Sequence, residues 1–131
     1  MLSNPYTQYQ ESNLETASQG KLLLMLYDGA IRFLLTSQFA LEQQRWNDAH
    51  TANLRAQDIV TELMLCLNME TGEIANNLYR LYDYMNWRLV QSNIRRDVAG
   101  VREIISLLRE LREAWVEVVK TQPTMLGAGA A

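Results

Sequence analysis

At 131 residues, with 12 basic and 15 acidic side chains for a formal charge of -3, the chain is the size of one domain that buries roughly two-thirds of its unfolded surface. The small acidic excess is interleaved along the chain, which leaves no electrostatic reason to expect nucleic acid or an anionic membrane as partner. The lone cysteine, Cys66, excludes an internal disulfide. The start, Met1 to Pro5, carries no secretory signal, and no apolar run approaches the ~20 residues of a membrane helix, so a soluble, cytoplasmic protein without membrane insertion is expected.

Residues 1–15 are polar and contain Asn4-Pro5, which favours extended or turn backbone. This stretch reads as an extended N-terminal arm carrying Tyr6 and Tyr9. Tyrosine gives a docking arm large contact area with a tip that tolerates water. Thr16 and Ser18 both offer N-caps to a first helix that runs to about Gln43. Within it Leu23, Leu26, Tyr27, Ala30 and Leu34 mark one apolar face, Leu24, Ile31 and Leu35 a second, and Leu22, Met25 and Phe33 a third. A helix apolar nearly all round is surrounded by other helices or keeps a face for a partner. Gly29, without a side chain, lets a neighbouring helix approach.

Asn47 or Asp48 is expected to cap a second helix, with Trp46 just before it as a staple. Its stripe is Ala49, Ala52, Ala56, Ile59 and Leu63, with Val60 on the flank and Leu54 and Leu65 pointing away. Gly72 marks the turn that follows. The third helix, about residues 73–94, has Leu78, Tyr82, Met85 and Leu89 as its stripe and Tyr84 and Trp87 roughly opposite. Asp97 caps a fourth helix, where Val101, Ile104, Leu108, Leu111, Trp115 and Val118 alternate three and four apart. Pro123 stops it. The expected architecture is therefore an all-α, antiparallel up-and-down four-helix bundle over residues 16–121, with a flexible C-terminal tail over 122–131.

Chemistry is sparse. One histidine, His50, and one cysteine do not make a zinc set, and there is no Glu-x-x-His pair for a di-iron bundle. Cys66, within an apolar run, is expected to be buried. Glu103, Glu110, Glu113 and Glu117 lie among Arg102, Arg109 and Arg112 as a solvated, ion-paired face. No phosphate-binding glycine loop or nucleophile elbow is present. No catalytic residues, metal or cofactor are expected, and the protein does not read as an enzyme. What remains is surplus apolar surface: Leu54, Leu65, Tyr84 and Trp87 are candidates for a groove that takes an amphipathic helix or extended peptide. The alternatives are that these side chains belong to the core, or that they form a homodimer interface.

Several blocks resemble the flagellar secretion chaperone family FliS. They are Asn4-Pro5-Tyr6, Tyr9-Gln10, Thr16-Ala17-Ser18, Met25-Leu26-Tyr27-Asp28-Gly29-Ala30-Ile31-Arg32-Phe33, Glu62-Leu63, Leu81-Tyr82-Asp83-Tyr84-Met85 and Leu111-Arg112-Glu113-Ala114-Trp115, in the family's order. Gly20-Lys21 departs from the acidic pair usual there. The resemblance implies a cytoplasmic chaperone that binds the disordered C-terminal segment of flagellin, prevents premature polymerisation and delivers it to the flagellar export apparatus. It also implies an N-terminal arm, here carrying Tyr6, Tyr9 and Gln10, that covers part of the groove until flagellin arrives. Binding of a second chaperone elsewhere is left open.

Overall fold

The computed structural model describes the backbone of residues 5–121 and the side chains of 19–70 and 72–121. Four helices run in order: α1 (Pro5–Glu42), α2 (Trp46–Leu65), α3 (Glu73–Arg95) and α4 (Val98–Thr121), with a single 3-10 turn, Met69–Thr71, between α2 and α3. Each helix packs on its neighbour in sequence, and α4 returns to pack on α1. The links are short, so successive helices reverse direction and close a four-membered ring.

Local chemistry explains several of the ends. Arg96 takes the left-handed conformation after α3, and the Asp97 carboxylate then accepts the backbone N–H of Ala99 at 3.0 Å, capping α4 as expected. Gly72 has φ +95°, a turn conformation that residues with side chains rarely adopt. Two starts differ from the sequence reading. α1 begins at Pro5, upstream of Thr16 and Ser18, and its backbone takes in residues 5–15 of the stretch read as an extended arm. Proline suits a first helical turn, since its fixed φ is helical and its missing N–H would have no partner there. α2 begins at Trp46, so neither Asn47 nor Asp48 caps it. Arg45 occupies the N-cap position without a side-chain bond, and Asp48 instead pairs with the Arg45 guanidinium at 2.7 Å.

The core is continuous. Tyr27, Ala30, Ile31 and Leu34 of α1 meet Ala56, Val60 and Leu63 of α2, Tyr82, Met85 and Leu89 of α3, and Val101, Ile104, Ile105 and Leu108 of α4. Each large aliphatic side chain so buried stabilises the fold by roughly 1.5–3 kcal/mol. On α2 the stripe is rotated from the expected one: Val60 is buried and Ile59 only partly. Asn53 is buried in the same stripe, donating to the Leu89 carbonyl at 3.2 Å and accepting from the Gln57 amide at 2.7 Å. On α4, Leu111 and Trp115 are partly buried against the cluster.

Cys66 is exposed, not buried. It occupies the C-cap of α2, where the chain leaves the bundle. Its thiol is nonetheless held above its ordinary range, by partial desolvation and then by the Glu62 carboxylate. The stretch Gln19–Glu42 is long and apolar enough to cross a membrane by length and composition, against the expectation that no run would be. In this structure it supplies Tyr27, Ala30 and Leu34 to the core.

Candidate partner-binding surface

Besides the buried and partly buried apolar side chains, a further set is exposed. Leu54, Leu65, Tyr84 and Trp87 are all exposed, Leu65 to 74% and Trp87 to 57%. They are therefore surface residues, and the alternative that they belong to the core does not hold. Leu54 and Leu65 lie about three turns apart on one side of α2. Trp87, Val90 and Ile94 follow at i, i+3 and i+7 on α3, the spacing of a single helical stripe. Val90 and Ile94 are exposed as well. Neither was singled out from the sequence, although that spacing from Trp87 was visible.

The two helices meet along a seam that these residues border. Leu54 and Gln57 of α2 face Val90, Asn93 and Ile94 of α3 across an open apolar cleft of about 190 Å³, with His50 at its edge. One level further along, the Asn86 amide donates to the Thr61 hydroxyl at 3.1 Å and contacts the Met64 sulfur at 3.9 Å. The Asn86 carbonyl oxygen is buried without a hydrogen-bond partner among the described residues.

Tyr84 lies toward the other flank of α3, with Trp87 beside it. Their rings are 6.0 Å apart, and the Tyr84 hydroxyl donates to the Glu103 carboxylate on α4. Arg88 donates to the same carboxylate at 2.9 Å and reaches Asp97 at 3.5 Å. The Tyr84 hydrogen bond, and after it Arg88, holds the Glu103 carboxyl below its ordinary range, while the same bond pushes the Tyr84 phenol up. Tyr84 is thus tethered to the α3–α4 seam, Leu54 belongs to the α2–α3 seam, and Trp87 stands between them. The four residues do not line one pocket.

A second apolar row runs along α1, where Leu22, Met25, Leu35 and Phe39 are exposed. The side chains of Tyr6, Tyr9 and Gln10 lie outside the described residues, as does the tail over 122–131. The arrangement offers apolar area, amides and hydroxyls at a helix seam, which suits recognition of a polypeptide.

Residues 2–122 match the protein family described as Flagellar protein FliS. The Flagellar secretion chaperone FliS of Bacillus subtilis is 34% identical over 121 residues, 92% of this chain and 90% of that protein. The Flagellar secretion chaperone FliS of Salmonella typhimurium is 39% identical over 110 residues, 82% of each chain. That of Escherichia coli is 34% identical over 109 residues, 82% of this chain and 80% of its own.

Proposed function

The chain belongs to the FliS family, and from that premise we propose that it is a cytoplasmic flagellar secretion chaperone whose ligand is the C-terminal segment of flagellin. The observation that carries the reading is the uncovered apolar surface at the α2–α3 seam, formed by Leu54, Val90 and Ile94 with Trp87 beside them. A segment that is disordered alone loses conformational entropy when it orders, and wide apolar contact offsets that cost. While held, the segment is unavailable for polymerisation, and the flagellar export apparatus receives the complex. The N-terminal residues Tyr6, Tyr9 and Gln10 are proposed to compete with flagellin for this surface.

Calorimetric titration with the C-terminal segment of the same organism's flagellin tests this. A one-to-one complex with a clearly negative heat-capacity change is expected, weakened at least tenfold by Leu54→Asp. No complex, with the protein dimeric by sedimentation, would instead make the apolar surface an interface between copies. Deleting residues 1–15 is expected to accelerate association, and an unchanged rate would remove the covering role of the arm.

A further inference from the structure

The α2–α3 seam changes character at one end. His50, Asn93 and Ile94, which border the apolar cleft, also border a second one of about 240 Å³, shared with Trp46, Asn47 and Arg96. The first cleft is walled by Leu54, Val90 and Ile94. The second presents two amides, an imidazole and a guanidinium. A polypeptide lying along the seam would thus pass from apolar to polar surroundings within a turn of α3.

Arg96 is placed unusually for this role. Its φ of 54° and ψ of 44° put an arginine in the left-handed conformation that usually ends a helix with glycine or asparagine. Its guanidinium lies 4.5 Å over the Trp46 ring. The ring face attracts the cation at that distance, and the N–H groups not turned to the ring are able to donate. The acids at this end of the bundle are already engaged: Glu42 with Arg102 at 2.8 Å, Asp48 with Arg45 at 2.7 Å, and Asp97 and Glu103 with Arg88. Arg95 and Arg96 are in none of the ion pairs among the described residues. The seam therefore ends at a positive surplus with directed donors.

We infer that this second cleft is a carboxylate site, and that it takes the free C-terminal carboxylate of the bound polypeptide while the preceding apolar side chains occupy the Leu54–Val90–Ile94 cleft. The inference rests on the flagellin reading above and specifies which end of the segment lies where. Val90 and Arg96 are separated by about 9 Å along α3, a span of roughly three extended residues. A main-chain carboxylate at the end of an apolar run meets both clefts without placing a charged side chain among apolar neighbours. The Arg96 guanidinium and the Asn47 and Asn93 amides supply the donors, a recurrent way of capturing a chain terminus.

The test compares the flagellin C-terminal segment as free acid and as C-terminal amide, titrated into the full-length protein and into Arg96→Gly. Glycine relaxes the left-handed backbone, so this variant is expected to remain folded and at least as resistant to denaturant. With the wild-type chain, amidation is expected to weaken binding roughly 10- to 100-fold, the scale of a lost charge-assisted pair. With Arg96→Gly, acid and amide are expected to bind within about 3-fold of each other, the scale left once that pair is gone. Equal binding of acid and amide to the wild type would overturn the inference while leaving the chaperone reading in place. So would an effect confined to neutralising an internal Asp or Glu of the segment. An undiminished gap in Arg96→Gly would overturn the assignment to Arg96. Failure of both forms to bind would overturn the inference together with the reading beneath it.

Discussion

Tyr27 joins three helices through one hydroxyl. It is fully buried, hydrogen-bonds the Tyr82 hydroxyl of α3, and accepts the Trp115 indole N–H of α4 at 3.1 Å. Removing it breaks both contacts, whereas removing the Tyr82 hydroxyl leaves the Trp115–Tyr27 bond in place. Tyr27→Phe is therefore expected to cost about 2–3 kcal/mol and Tyr82→Phe about 1 kcal/mol, measured by urea unfolding of the two variants and the wild type. Similar losses would show that Trp115 finds another acceptor. Burial is the largest effect that pushes both phenols above their ordinary range. A phenol whose folded value is raised contributes stability that is intact below the unfolded value of about 10 and lost as pH rises beyond it. Wild-type stability is thus expected to fall from about pH 10 upward, less steeply in Tyr27→Phe. The sequence put Tyr27 and Tyr82 on core stripes by their period. Their meeting across the bundle was not legible, because a period names the inward face and says nothing about what stands opposite.

At the scale of the helix, two buried glycines look alike in sequence and differ in what surrounds them. A Cβ at Gly29 would lie 3.2 Å from the terminal methyl of Ile59, which can rotate away. At Gly100 it would lie 2.8 Å from the Arg88 guanidinium and 2.9 Å from the Ser92 Cβ, which is fixed to its backbone. Alanine gains about 1 kcal/mol over glycine in a helix interior, whereas overpacking costs about 1–3 kcal/mol. Gly29→Ala is expected to be near neutral and Gly100→Ala destabilising by about 1–2 kcal/mol. Denaturant midpoints of the two variants decide it, and equal midpoints would refute the distinction. Four helices and their order were readable because their apolar spacing is long and regular. The phase of α2 was readable only within about one position, since Asn53 takes a core place by pairing with Leu89. Its first turn was misread because capping residues at Asn47 and Asp48 stand just inside a helix whose start is set by packing. Cys66 was misread for a related reason: apolar neighbours in sequence do not bury a residue at the point where a helix ends.

The exposed apolar residues of α1 and α3 sit on helices that are not neighbours in the ring, since α1 packs on α2 and α4. Met25 on α1 and Trp87 on α3 therefore cannot belong to one straight groove. If a single flagellin segment covers both, it must bend around an intervening helix, which a chain that is disordered alone can do. Met25→Glu and Trp87→Glu then report on different parts of the same ligand. Each is expected to weaken the full C-terminal segment by at least tenfold, the scale of a carboxylate desolvated at an apolar contact. A segment cut to one half is expected to respond to one substitution and ignore the other. Because both positions are largely exposed, neither substitution should shift the unfolding midpoint by more than about 0.5 kcal/mol in stability. Titration of the two variants with full and halved segments distinguishes the cases. Were Met25→Glu without effect on every segment, the ligand would be confined to the α3 side, and the apolar row on α1 would need a different partner.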